Sequence, residues 1–477
     1  MAPRSRGPLV GLLLFLCYAW FIPRSGRSDW AASARADLVL AVAERGSLTI
    51  DAYHDNTGDK ALYAGHYYAV GSIGPSLLAL PAYLAARPFL GWIRSPERRE
   101  RAALYAMTLA AAALPGALLG LCVYTFARRF TPHEGHALLL ALTYGLATAA
   151  FPYSKALFQH QASALGAFGG FYLLWRVVRE GAAPWRLWPA GGLFGLAAIS
   201  EYPLVLFLGL IFVWAVVEAR DRWALQRVVW GALPLVLLFA AYNFAIFGTP
   251  LPVGYRYHVE YQGMHAQGFM GITRPSWEAL FGITLSPYRG LLFLSPVLAL
   301  AIPGLVLLWR QPGERRTAAL LTAMAAGFIL YVGSYGYWSG GDAIGPRFLV
   351  PLLPFLMLPM APALGALLRR RAGAWAVGLL VALSALNVWI QSVAGQRYPP
   401  YEFRGEVVVN PTTQWALPLL REGDVALNLG MMLGLRGLAS LLPLGLLLGL
   451  GAWLWHAAGG RAAASGGQPG RDAPRTL

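Results

Sequence analysis

The sequence has little charge. Asp, Glu, Lys and Arg make up 13% of its 477 residues, against 57% hydrophobic. A soluble domain carries about a quarter charged residues, which excludes an ordinary water-soluble chain. Lysine is nearly absent: Lys60 and Lys155 stand among many arginines. With heavy use of Ala, Gly and Leu, this points to a GC-rich bacterial genome. The 2 cysteines, Cys17 and Cys122, lie in apolar runs, so no disulfide framework is implied. No stretch has the oxygen-ligand spacing and terminal Glu of a calcium loop. No internal repeat of the transporter kind occurs. No small-residue cleavage site follows the first apolar run, so Leu9–Ile22 is expected to stay as a helix.

What the chain does have is long apolar runs. A run that spans lipid needs about 20 residues and must be helical, because its backbone can find no partner in the bilayer. The net charge of +16 does not imply nucleic acid, because the arginines sit in short loops between apolar runs, where they set topology. Ile73–Ile93 is apolar enough to span but holds Pro81, Arg87 and Pro88, all costly inside a spanning helix. It is therefore expected to lie on the outer face. That choice puts Arg128-Arg129, Arg310, Arg315-Arg316 and Arg369-Arg370-Arg371 all inside. The cluster Arg94, Arg98, Arg99 and Arg101 is discordant.

The expected fold class is all-α: a polytopic integral membrane protein with about twelve transmembrane helices and interfacial helices in the first outer loop. Crossings are expected to begin near Leu9, Ala102, Ala137, Ala156, Leu187, Leu204, Val228, Leu291, Ala318, Phe348, Ala374 and Leu438. Residues 1–391 are expected to form one transmembrane module that includes outer loop 24–101. Residues 392–458 hold another outer loop and the last crossing, and 459–477 is expected to be a disordered cytoplasmic tail.

Polar residues that solubility does not explain gather on the outer side. An amphipathic helix is expected over Trp30–Arg45, with Asp29, Ser33 and Asp37 on one face. A solvated face is the alternative for Asp37. Asp51, Asp55 and Asp59 follow, with His54, Lys60 and His66. Three carboxylates beside a membrane suit a general base or a metal; with no calcium pattern the base is favoured, and a polar connector is the alternative. Trp338-Ser339-Gly340-Gly341-Asp342 leads to Arg347 at a helix start. An arginine at membrane depth needs an anion, and a phosphate matches its fork; a snorkelling Arg is the alternative. Glu201, Lys155, His160 and Arg289 are lesser candidates, His160 more simply as a satisfied structural residue.

Asp51…Asp59-Lys60, Gly65-His66-Tyr67-Tyr68 and Gly74-Pro75 resemble the first outer loop of type C glycosyltransferases. Among these the chain is similar to the bacterial relatives of protein mannosyltransferases and lipid A aminoarabinose transferases. Tyr242-Asn243, Phe247-Gly248-Thr249-Pro250, Ser286-Pro287-Tyr288-Arg289-Gly290 and Trp338-Ser339-Gly340-Gly341…Gly345-Pro346-Arg347 extend the likeness to about Pro354. Two departures stand out. The acidic residue usual just after the first crossing has only Asp29 roughly in its place. Close relatives have Asp-Lys where this chain has Val70-Gly71.

The resemblance implies a polyprenyl-phosphate-linked sugar donor, inversion at the anomeric carbon and a carboxylate base from the first outer loop. The expected enzyme is a hexosyl- or pentosyltransferase of the bacterial inner membrane, with its site on the periplasmic side and a lipid, glycan or protein as acceptor. Asp51 and then Asp59 are expected to be catalytic. Lys60, His66, Tyr68, Lys155, His160, Glu201, Arg289, Trp338, Asp342 and Arg347 are expected to bind substrate, without metal or cofactor. A lipid-linked-sugar flippase and an O-antigen ligase or polymerase are the rival readings.

Overall fold

The structure, a computed structural model, describes residues 6–24 and 29–465, with the backbone alone for 456–465. It is mostly helical. Among the described residues, six helices are long and apolar enough to cross a membrane: Pro96–Ala127, Trp223–Phe247, Pro312–Gly333, Arg347–Leu367, Arg371–Val393 and Gly437–Trp455. Shorter apolar helices run over Gly7–Ala19, Leu204–Glu218 and Pro296–Arg310. Leu206 and Phe244 expose 66% and 62% of their area, on helices with no polar face. Such surfaces call for lipid around them, and the chain is a multi-pass membrane protein.

Helices meet through small residues, as they do where no water drives them together. A Cβ on Gly191 would lie 2.1 Å from the Val228 carbonyl oxygen. That contact seats Leu187–Ser200 against Gln226–Phe247.

The helix expected over Trp30–Arg45 and a helix within Ile73–Ile93 both form, with an unexpected hairpin between them. Helix α1 (Gly7–Ala19) leads to α2 (Trp30–Arg45), whose N-cap is Asp29. A hairpin follows, with β1 (Lys60–Tyr63) antiparallel to β2 (His66–Ala69). Helix α3 (Gly74–Leu90) has Pro75 in its first turn and Pro81 and Pro88 inside. It buries Ser76, Ala79 and Tyr83 and exposes Leu84 and Phe89. Helix α4 (Pro96–Thr108) continues through a π segment into Leu114–Ala127.

Three expectations are corrected. The fold is not purely α, since the β1–β2 hairpin and a second small hairpin, Glu402–Phe403 with Glu406–Val407, are present. The helix expected from Ala156 starts at His160, after a short helix Ala150–Ser154 and a break that holds Lys155. Helix Leu442–Ser465 runs past Gly459, where the tail was expected to lose structure; residues 466–477 lie outside the described residues.

Candidate active site

The centre of the site is a group of arginines around two aspartates. Asp29 is 6% exposed. Its Oδ1 accepts the Ala32 N–H at 3.1 Å, capping α2, while Oδ2 is buried with no partner. Burial pushes its carboxyl up to about 6, against the pull of the Ala32 N–H and of Arg347, Arg35 and Arg24. A buried carboxylate beside cations that stop short of pairing with it keeps one oxygen open for a donor.

Arg35 was not foreseen. It rises from α2, buried, and donates to the Ala31 carbonyl and to Gln159 Oε1, each at 2.5 Å. Its signal was in the helix pattern: Ala31, Ala32, Leu38 and Val39, its neighbours one turn away, are all apolar, so its face could not be the solvated one. Arg35 also meets the Val70-Gly71 departure. Gly71 has φ +108°, and a Cβ there would lie 3.9 Å from Arg35 Nη2 and 3.6 Å from the Tyr255 hydroxyl. The guanidinium thus lies beside Gly71.

Arg347 begins the helix that follows the glycine loop. Its guanidinium carbon lies 5.4 Å from the Phe158 ring centre and 5.0 Å from that of Phe348. Among the described residues it makes no hydrogen bond and no ion pair within 4 Å, and its Nε is buried without a partner. Gly340, at φ +71°, lets the loop pass close to it: a Cβ there would fall 2.7 Å from Arg347 Nε. Asp59 and Asp29 both lie in its field.

Asp59 sits at the foot of β1. His258 Nδ1 accepts the Glu260 and Tyr261 N–H groups, each at 3.1 Å. Its Nε2 therefore carries the proton, and that atom lies 3.6 Å from Asp59 Oδ1. Burial raises the Asp59 carboxyl, but His258 with Arg35 and Arg347 outweighs this and holds it below the ordinary value.

Asp51 lies elsewhere. It is 40% exposed and accepts from His66 Nδ1 at 2.7 Å and from the Tyr67 N–H at 2.6 Å. Both oxygens serve the hairpin. Burial raises its carboxyl slightly, and Tyr67 and His66 pull it below the usual range. His66 belongs to that pair. Lys60 also faces away from the arginines: its Nζ donates to the His54 carbonyl at 2.6 Å and lies over the Tyr67 ring. Tyr68 packs near Phe247 at 6.1 Å.

The other expected residues have mixed surroundings. His160 is fully buried, its Nδ1 3.4 Å from Glu201 Oε2, which also accepts from Ser163 at 2.8 Å. This pair lies near Arg347. Lys155 donates to the Ser392 carbonyl at 2.5 Å, beneath the ring of Phe21. Arg289, 1% exposed, donates to the carbonyls of Ala343, Gly341 and Pro399, so it locks the glycine loop in place. Asp342 keeps part of its surface in solvent, and the protein packed around the rest raises its carboxyl against the pull of Arg289, Arg397 and Arg347. Trp338 packs on Gly282, where a Cβ would lie 2.3 Å from the ring. Among the described residues no three His, Cys, Asp or Glu side chains group as metal ligands.

No protein-family model matches the chain, and no curated protein matches it. Solved structures do. ArnT from Cupriavidus metallidurans bound to undecaprenyl phosphate superposes with a TM-score of 0.51 and 15% identity, over 78% of this chain and 62% of that one. The same protein in the apo state gives 0.49 and 14%, over 76% and 59%. The Archaeoglobus fulgidus oligosaccharyltransferase in complex with zinc and sulfate gives 0.46 and 12%, over 87% and 55%. The chain therefore spans less than two thirds of each of these proteins. The first likeness carries the fold alone: this chain shares the fold of ArnT over the matched stretch.

Proposed function

We propose that the protein is an inverting glycosyltransferase that takes a sugar from a polyprenyl-phosphate donor at the outer face of a bacterial inner membrane. Twelve crossings, with the first outer loop and the glycine loop outside, belong to the same reading. The observation that carries it is Arg347, a guanidinium near membrane depth, between aromatic rings, with no ion-pair partner among the described residues. Such a group calls for an anion. That ArnT was solved with undecaprenyl phosphate bound supports a lipid phosphate as the anion.

The base in this reading is Asp29 rather than Asp51. A general base works best with a pKa near the operating pH. Asp29, at about 6 with one oxygen open, meets that condition. Asp51 has both oxygens engaged, and Asp59 is held low. Asp29 takes the proton of an acceptor hydroxyl, and that oxygen bonds to the anomeric carbon from the face opposite the phosphate. The carbon–oxygen bond to the lipid phosphate breaks, and its electrons leave with the phosphate. Arg347 and Arg35 stabilise the charge that develops, Arg35 in the part a lysine at position 71 would have taken. Asp59 and His258 hold Arg35 and the hairpin in register.

The test is sugar transfer by the purified protein in lipid nanodiscs with a polyprenyl-phosphate sugar. Arg347→Ala is expected to lose about 10²-fold or more, the scale of a removed transition-state donor, and to bind undecaprenyl phosphate more weakly. Unchanged turnover would count against the reading.

A further inference from the structure

On the opposite side of α2 from Arg35 lies a second cavity, of about 520 Å³, enclosed by α2, α3 and α4. The mechanism above does not use it. Its polar wall holds Asp37, Glu44 and Glu100, with Arg87 and Arg99 facing them, and its floor is apolar, with Leu40, Leu104 and Met107.

The charges of this cavity are left open. Among the described residues, none of the five forms an ion pair within 4 Å. Glu44 accepts from the hydroxyls of Tyr53 and Tyr83, and Arg99 donates to the Ile93 carbonyl. Asp37 is 1% exposed. Its Oδ1 accepts from Asn56 Nδ2 at 3.1 Å, which fixes the orientation of that amide. Asp37 Oδ2 and Asn56 Oδ1 are then both buried without a partner. Two buried acceptors side by side are costly unless something donates to both. Burial pushes the Asp37 carboxyl up to about 7, with Glu100 adding to this and Asn56 and Lys60 opposing it.

The missing group must carry N–H donors and positive charge for Asp37 and Asn56, and negative charge for Arg87 and Arg99. The cavity is lined by Tyr83, Arg87 and Leu90 of α3, the helix read as lying on the bilayer, whose Leu84 and Phe89 are exposed at 46% and 59%, with Trp92 just beyond its end exposed at 78%. We propose that this cavity binds the headgroup of a bilayer phospholipid that joins a primary ammonium to a phosphate, the phosphoethanolamine class, with an acyl chain over Leu40, Leu104 and Met107. A quaternary ammonium has no N–H for the two acceptors, and a glycerol headgroup has no cation. The site stands apart from the transfer reaction, so its fate and that of the proposed function separate.

The experiment is binding of short-chain phosphatidylethanolamine, phosphatidylcholine and phosphatidylglycerol to the delipidated full chain in detergent. Phosphatidylethanolamine is expected to bind about tenfold or more tighter than the other two, the value of one charge-assisted hydrogen bond. Asp37→Asn should abolish that preference. Arg87→Gln, on an exposed side chain, serves if Asp37→Asn does not fold, and should weaken phosphatidylethanolamine about tenfold. Equal binding of the three lipids, or a preference that survives both variants, would overturn the proposal. Soluble phosphoethanolamine that binds as tightly as the lipid would overturn the lipid as its source.

Discussion

Asp29 and Asp51 differ in what their oxygens already do, and this is what separates a base from a brace. The open Oδ2 of Asp29 can take a proton; the oxygens of Asp51 hold the hairpin. Asp29→Asn is expected to lose about 10²-fold or more in turnover. The folded carboxyl, at about 6, stands above its ordinary value of 3.8. Its contribution to stability is therefore full below the unfolded pKa and lost as pH rises through about 6. At neutral pH the ionised side chain disfavours the fold. Asn keeps the helix cap, so the variant should melt no lower than the parent at pH 7 while being inactive. The same pKa should appear as an acid limb: turnover falls as pH drops through about 6, measured as kcat/KM against pH. Asp51→Asn should do the reverse, lowering the melting temperature with turnover nearly kept. If Asp51→Asn is inactive and Asp29→Asn active, the assignment of the base is wrong. The resemblance pointed to Asp29 only by its rough place after the first helix; the residues themselves did not separate it from Asp51, because five aspartates in one polar stretch look alike until the hairpin folds back on some of them.

At the scale of elements, much was legible. Trp30–Arg45 is helical over the span its pattern gave, capped by the Asp29 that begins it. A helix does form over Gly74–Leu90, with Pro75 in its first turn and Pro81 and Pro88 inside; that it lies on the outer face belongs to the proposed topology. The β1–β2 hairpin was not foreseen. Its strands have four residues each, and in β1 only Ala61 is buried, so no alternation was long enough to read. Its turn uses Ala64 and Gly65 at φ +51° and +85°, a two-residue turn without the usual Asn-Gly or Asp-Gly signal. Arg35 was missed for a related reason: its Gln159 partner is 124 residues away. The lie of α3 decides the orientation of the whole chain. Single cysteines at Asp55 and Ser95 should react with an impermeant reagent added from outside, and one at Gly313 should not. A protected Ser95 position with a reactive Gly313 position would reverse the map.

At the scale of the molecule, the apolar helices form a scaffold, and the charges of the site gather in segments that join them. Asp29 and Arg35 come from α2 and its cap, Asp59 from the start of the hairpin, His258 from the flank of the Gly254–Tyr257 turn, and Arg347 from the helix after the glycine loop. These segments are far apart in sequence, so membrane class and helix order could be read directly, whereas the constellation needed the fold. The central claim is that this constellation transfers a sugar rather than moving a lipid-linked sugar across the bilayer. The most direct test is to reconstitute the protein in liposomes with a labelled polyprenyl-phosphate sugar and a hydroxyl-bearing membrane extract, and to follow both the label and the free lipid phosphate. The account predicts that label appears on an acceptor with inverted anomeric configuration, that lipid phosphate is released in equal amount, and that both are lost in Arg347→Ala. Donor that crosses the bilayer intact, with no lipid phosphate released, would contradict it.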